Sequence, residues 1–288
     1  MEQKYIDLFD RYTHGSMPRR DFLERLAGLA GGAAAASALL TKLENNYALA
    51  AIVPEDDPRL ALDMVTFDTG RGAVSGYLAR MKQIEKAPGV IIIHENRGLN
   101  QHIKDVTRRM ALEGFLALAP DYLSFFGGTP ADEDKARDMI GALSGDDVLT
   151  ISEAALAYLS THAQSTGKVA AVGFCWGGGQ VNQLAVAEPK LAAGVAYYGR
   201  QPNPAQVPNI QAAMLLHYAG LDEPTNRGIA DYEKALKASA KTYQIYIYDG
   251  ANHAFNNDTN AARYNKEAAD LAWSRTVAFL KKYTAGSA

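Results

Sequence analysis

One cysteine stands in 288 residues. An internal disulfide is therefore excluded, and Cys175 is either a small buried hydrophobe or a thiol with a chemical role. Cysteines and histidines do not gather at metal-ligand spacings. Charge of one sign is missing too: 29 Lys and Arg against 32 Asp and Glu give a net charge of -3. There is neither a basic field to recruit nucleic acid nor an acidic tail. The longest weakly hydrophobic stretch, residues 26–40, falls short of the ~20 residues that cross a bilayer, so no permanent membrane span is expected. No long internal repeat is found. What is present is a chain with 48% apolar residues, enough for the core of one large domain or two small ones.

The first 50 residues differ from the rest. Tyr5, Ile6, Leu8, Phe9 and Tyr12 recur at helical spacing. After them come Arg19-Arg20-Asp21-Phe22-Leu23, the Ala/Gly-rich run 26–40 and the small-residue site Ala48-Leu49-Ala50. This order resembles a twin-arginine export signal, which implies export machinery as a partner and a periplasmic location. Pro18 and the long, helix-patterned lead depart from that pattern. The alternative is a cytoplasmic protein whose N-terminal helices are retained and pack on the domain or on a second subunit. Residues 1–50 are thus read as a leader or helical extension, and 55–288 as the catalytic domain.

From residue 62 the pattern is that of an α/β domain. Runs 62–68 and 73–80, joined by Thr69-Gly70-Arg71-Gly72, read as an antiparallel hairpin. The continuous apolar run 89–94 reads as a strand buried on both faces. Strands are expected at 115–119, 168–174, 191–198, 212–218 and 243–248. Helices are expected at 101–113, 131–143, 146–162, 180–187, 231–241 and 261–282. The alternation predicts a mostly parallel sheet with helices on both faces and an antiparallel N-terminal edge, its ligand site at the carboxyl ends of the strands.

Gly173-Phe174-Cys175-Trp176-Gly177 falls where a strand gives way to a helix. Glycines two residues either side of the centre suit the sharp turn that lifts a nucleophile above a sheet, here a sulfur. The helix start beside it favours a thiolate and offers amides to an oxyanion. Such a nucleophile needs a base, and the base an orienting acid. Asp222 and His253 each lie in a loop just past a predicted strand, in the order nucleophile, acid, histidine. Glu223 competes with Asp222. The other histidines fit less well: His14 lies in the leader, His102 and His162 on helices, His217 within a strand, and His94 does not follow the acid.

With Gly-Phe-Cys-Trp-Gly-Gly, the segment Val90 through Gly98 that contains His94-Glu95-Asn96-Arg97, Pro120-Asp121 and His253-Ala254-Phe255 in view, the chain resembles the dienelactone hydrolase (carboxymethylenebutenolidase) family. That resemblance implies an α/β-hydrolase fold and hydrolysis of lactones or activated esters without a cofactor or a metal. It makes Cys175 the nucleophile, His253 the base and Asp222 its acid. Glu95 matches the glutamate that contacts the resting thiol, and the backbone N–H groups of Trp176 and Asn96 match the oxyanion hole. The family's carboxylate-holding arginine four residues past the histidine is Asn257 here, which leaves Arg97, Arg200 or Arg263 to serve. Arg97, Tyr122, Tyr198 and Phe255 are candidate pocket residues. Two other classes stay open: a non-catalytic binding or scaffold protein of the same fold, oligomeric or not, and a metal site of Cys175, Asp222 and His253.

Overall fold

The structure, a computed structural model, describes residues 1–15, 17–47 and 52–285. The small-residue site Ala48-Leu49-Ala50 lies outside the described residues. One eight-stranded sheet organises the chain. Its strands are β1 (Leu60–Asp68), β2 (Ala73–Met81), β3 (Ala87–Ile93), β4 (Leu116–Pro120), β5 (Ser165–Phe174), β6 (Ala193–Tyr197), β7 (Ala213–Ala219) and β8 (Tyr243–Tyr248). Their spatial order is β1-β2-β4-β3-β5-β6-β7-β8. β1 and β2 pair antiparallel, β2 meets β4 antiparallel, and every later pair is parallel. The predicted hairpin and the antiparallel edge are both present.

The central strands are apolar throughout because both faces are covered; all five residues of β6 and all seven of β7 are buried. Helices α4 (Gln101–Leu112) and α10 (Lys266–Thr284) cover one face, through Ile103, Val106, Met110, Ala272 and Leu280. Helices α6 (Gly145–Thr161), α7 (Trp176–Ala187) and, after the short α8 (Glu223–Asn226), α9 (Ile229–Ala238) cover the other, through Ile151, Leu159, Val181, Leu184 and Leu236 of α6, α7 and α9. Helix α5 (Glu133–Gly141) stands at the carboxyl end of the sheet. Side-chain caps set several starts: Asn100 Oδ1 accepts from Ile103 N at 3.1 Å, and Asn265 Oδ1 from Ala268 N at 3.1 Å. The last helix begins at Lys266 instead of 261, because 261–265 form a turn that closes on Asn260 and the Asn265 cap.

The N-terminal segment folds as three helices: α1 (Gln3–His14), α2 (Arg19–Ala30) and α3 (Ala33–Leu43). The stripe Tyr5, Ile6, Leu8, Phe9 and Tyr12 meets Phe22, Leu26, Ala36 and Leu43 in a core of its own, with Tyr12 and Phe22 stacked at 4.5 Å. Each such large apolar side chain contributes roughly 1.5–3 kcal/mol when buried. Gly31 takes φ +81° and ends α2, so the apolar run 26–40 is broken into two helices bent by 113°. No single helix among the described residues is long and apolar enough to cross a membrane.

This helical unit is docked on the sheet's carboxyl end. Asp10 pairs with Arg263 at 2.9 Å, Arg19 with Asp134 at 2.8 Å and with Glu44 at 2.9 Å. Asn96 Nδ2 donates to Thr13 O at 2.7 Å, and Asn46 N to Thr259 O at 2.8 Å.

Candidate active site

Strand β5 runs into helix α7 through Cys175, which adopts φ 55° and ψ -115°. A non-glycine residue there is strained, and the packing around it has to hold it in place. The two flanking glycines allow that packing. A Cβ on Gly173 would lie 2.1 Å from Gly177 O, and one on Gly177 would lie 2.3 Å from Ile93 O. The turn is therefore pressed against its own helix and the end of β3. Cys175 N donates to Tyr197 O at 3.0 Å, and the thiol is buried with 7% exposure.

Asp222 and His253 arrive from the ends of β7 and β8. His253 Nδ1 lies 2.6 Å from Asp222 Oδ2, and both side chains are buried. Since the carboxylate accepts, Nδ1 carries a proton, and in the neutral ring Nε2 is the nitrogen with the lone pair. That Nε2 is buried without a hydrogen-bond partner. Burial opposes charging His253, but the negative charges of Cys175 and Asp222 outweigh it and raise the imidazole well above its ordinary range. Asp222 is held low: burial pushes it up, and the charge and hydrogen bond of His253 more than reverse that. Glu223, the competing acid, is exposed and paired with Arg227.

A second imidazole reaches the sulfur. His14, the last residue of α1, places Nε2 3.2 Å from Cys175 Sγ, and its ring meets that of His253 edge-on at 4.3 Å. Its Nδ1 is 3.0 Å from Asp10 O, a carbonyl that can only accept, so Nδ1 is protonated and Nε2 is the acceptor facing the thiol. As a residue His14 is exposed. Desolvation by the surrounding protein, with the positive charges of His253 and Arg263, nevertheless holds its pKa well below the ordinary value. The sequence reading set His14 aside as part of a leader. The only signal that could have promoted it is the apolar stripe of α1, which predicts docking without saying where.

Glu95 sits beside this group, but its Oε2 accepts from Asn257 Nδ2 at 2.9 Å and its Oε1 is buried without a partner. The hydrogen bond that the structure gives to the sulfur is with His14. Trp176 opens α7, so its N–H has no acceptor within the helix. Asn96 stands on the loop after β3, which packs on the elbow through the carbonyls of Ile93 and His94.

A cavity of about 490 Å³ opens over Cys175 and His253, walled by the N-terminal helices on one side and by Glu95, Asn96, Arg97, Asp134 and Arg263 on the other. Of the four candidate pocket residues only Arg97 lines it. Tyr122 is fully buried, bonded to Ser152 at 2.8 Å and set edge-on to Trp176. Tyr198 and Phe255 are core residues, Tyr198 packing on His253 at 4.9 Å and on Phe255 edge-on at 5.4 Å. Aromatic size won over loop position in all three. The arginines are already engaged: Arg97 with Asp134 at 3.0 Å, Arg263 with Asp10 and Arg19 with Asp134 and Glu44. Arg200 is exposed and does not line the cavity.

The alternative metal set, Cys175 with Asp222 and His253, is not assembled, because the near oxygen of Asp222 is spent on His253 Nδ1. His14, Cys175 and His253 do converge, with one ligand atom each, all within 4.8 Å of one another.

Comparison with known proteins gives the following. A sequence model of the Dienelactone hydrolase family matches residues 74–284, and a second one, YqhI-like, matches residues 1–32. The chain is 33% identical over 254 residues to a protein of Saccharolobus solfataricus provisionally named a carboxymethylenebutenolidase, covering 76% of this chain and 97% of that one. It is 47% identical over 107 residues to a provisionally named hydrolase fragment, YghX, of Escherichia coli, covering 36% of this chain and 92% of the fragment. Among solved structures it is similar to a provisionally named dienelactone hydrolase from Klebsiella pneumoniae, with a TM-score of 0.71 at 27% identity, covering 78% of this chain and 99% of the other. Helices α1 to α3 lie outside the residues that the first model matches.

Proposed function

The chain belongs to the dienelactone hydrolase family and is a hydrolase of the α/β-hydrolase fold, and from that premise we propose that it cleaves lactones or activated carboxylic esters through a thioester on Cys175. The observation that carries this reading is Cys175 at a strained strand-to-helix turn, with the His253–Asp222 pair beside it at the floor of an open cavity.

The chemistry follows from the groups in place. His253 Nε2 takes the thiol proton, with the imidazolium stabilised by Asp222. The sulfur attacks the carbonyl carbon, and the charge that develops on oxygen is received by the N–H groups of Trp176 and Asn96. Collapse breaks the carbon–oxygen bond, and the leaving oxygen takes the proton from His253. Water, deprotonated by His253, then attacks the thioester, and the returning proton restores the thiol. Because a thiolate is itself easily expelled from the tetrahedral intermediate, only leaving groups that compete with it turn over well. Enol lactones and activated esters qualify, whereas simple alkyl esters are slow.

The pocket favours an uncharged substrate. Each of its three arginines is paired with a carboxylate of the protein, and the position four residues past His253 is Asn257. A dienelactone-type carboxylate would have to break one of these pairs. We further read residues 1–43 as a retained part of the active site: Arg19 is used in two ion pairs, and α1 carries a side chain to the sulfur. The intact mass of protein from its native host tests this against export. Full length supports retention, and loss of about 50 residues supports a cleaved twin-arginine leader and a periplasmic enzyme.

The activity is tested with a panel of neutral enol lactones and activated esters. Turnover is expected to vanish in Cys175→Ala and after iodoacetamide. Full activity in the alanine variant would overturn the nucleophile assignment. An inert thiol together with no turnover across the panel would favour a non-catalytic protein on the same fold.

A further inference from the structure

We infer that His14, Cys175 and His253 form a binding site for a borderline-soft divalent cation of the zinc type, with one ligand delivered by the N-terminal helix, and that its occupancy switches the hydrolase off reversibly. The switching rests on the proposed function; the binding does not.

Three features carry the inference. The first is distance. Zinc bonded to nitrogen at ~2.0–2.1 Å and to sulfur at ~2.3 Å sets tetrahedral ligand atoms about 3.3–3.6 Å apart. Here His14 Nε2 and Cys175 Sγ are 3.2 Å apart, and all three atoms lie within 4.8 Å. Bringing the set to that spacing takes shifts of roughly 1–1.5 Å at most.

The second is tautomer. A ligating imidazole must offer a lone pair, and the group on its other nitrogen decides which nitrogen offers it. Asp222 Oδ2 fixes the proton of His253 on Nδ1, and Asp10 O fixes that of His14 on Nδ1. Both Nε2 atoms are therefore the ones left to bind, that of His253 once its own proton has gone. The Nε2 of His253 is more than nine-tenths buried and has no hydrogen-bond partner, so a cation bound there breaks no existing bond. Asp222 stays a second-layer partner, in the carboxylate–histidine–metal arrangement.

The third is access. The cavity of about 490 Å³ reaches both Cys175 and His253 from outside, and leaves room for water as a fourth ligand. On binding, the one proton that Cys175 Sγ and His253 Nε2 hold between them leaves to solvent, and the sulfur electron pair enters the bond to the cation. The same cation occupies the His253 lone pair. The two groups that hydrolysis requires are then both tied up, and removal of the cation restores them.

The test uses the full-length protein washed with chelator and titrated with Co²⁺, an optical substitute for Zn²⁺. One equivalent is expected to give the visible bands of a four-coordinate site and a near-ultraviolet sulfur-to-cobalt band, both displaced by Zn²⁺. The sulfur band disappears in Cys175→Ser, and His14→Gln, which removes a ligand, weakens binding by at least the ~10–100-fold that loss of an outer-shell partner costs, with circular dichroism checking that the variant stays folded. Zinc suppresses turnover of the best substrate, chelator restores it, and His14→Gln needs correspondingly more zinc. Absence of the sulfur band, or equal cobalt affinity in His14→Gln and wild type, overturns the site. A bound cation that leaves turnover unchanged overturns the switch. If no substrate turns over at all, the function reading fails while the cobalt titration still decides the site.

Discussion

Asn257 Nδ2 donates to Glu95 Oε2 at 2.9 Å, while Asn257 Oδ1 accepts from Thr259 N at 3.1 Å and from Thr259 Oγ1 at 2.7 Å. Asn257 is fully buried, so these bonds lock the Glu95 carboxylate to the loop that follows His253. In Asn257→Ala the Glu95 Oε2 loses its partner, and since Oε1 has none already, the buried carboxylate is left without a side-chain donor. Stability is expected to fall by about 1–3 kcal/mol, read as a lower denaturant midpoint at unchanged slope. An unchanged midpoint would mean that the bond does not hold Glu95.

Asp10 and Arg263 make the corresponding lock between cap and domain. Their pair is 2.9 Å long, with Arg263 buried and its guanidinium over the Phe9 ring at 5.1 Å. Asp10→Ala leaves a buried cation unpaired, at a cost of about 3 kcal/mol, the low end for a buried pair because Asp10 is partly exposed. The freed guanidinium faces the cavity. Relative kcat/KM for a carboxylate-bearing lactone over its neutral analogue is expected to rise by roughly tenfold or more, the size of one hydrogen bond to a charged group. A ratio that does not move would remove Arg263 from the account of substrate charge.

Protonation of His253 follows its neighbours. Its folded pKa is raised above the ordinary 6.5 by the charges of Cys175 and Asp222, against burial. The stabilisation it gives is therefore fully present below about 6.5 and is lost as pH rises through the folded value. Asp222 has the opposite sign. Its folded pKa lies below the ordinary 3.8, so its contribution is present above that value and is lost as pH falls through the folded one. Removing the sulfur in Cys175→Ala takes away one of the two charges that raise His253. Its imidazole titration, followed by NMR, is expected to shift to lower pH, and the alkaline loss of stability to begin earlier. A titration that stays in place would show that Asp222 alone sets the value.

The parts legible in the sequence are those written in local pattern. The apolar run ending at His94, the elbow around Cys175 and the loops carrying Asp222 and His253 each follow from strand period and turn chemistry, and the sheet brings them together. What stayed hidden depends on contacts between distant segments. His14 is 161 positions from Cys175, and nothing in α1 says which surface its stripe will meet. Asn257 was visible only as a missing arginine, not as the partner of Glu95. Tyr122, Tyr198 and Phe255 lie on loops or strand ends near the site, but a ring of that size gains more by burial than by lining a cavity.

The elbow glycines separate two explanations of the turn. The positive φ of +55° falls on Cys175 itself, so the flanking glycines are needed for close approach and not for their own dihedral freedom. In Gly177→Ala the new Cβ would sit 2.3 Å from Ile93 O and 2.5 Å from His94 O, backbone atoms that cannot swing aside. Gly173→Ala meets Gly177 O at 2.1 Å. Either substitution must shift β3 or α7, and is expected to cost more than about 4 kcal/mol, in the range tied to core overpacking and strain. Gly179 offers the control: its Cβ would come no nearer than 3.6 Å to Arg200 N, an ordinary contact, and it lies within α7. Gly179→Ala should therefore hold or raise stability, by up to ~1 kcal/mol from helix propensity. Melting temperatures of the three variants decide the matter. A Gly177→Ala protein as stable as wild type would mean that the turn is not pressed against β3, and the strained placement of the Cys175 sulfur would lose its cause.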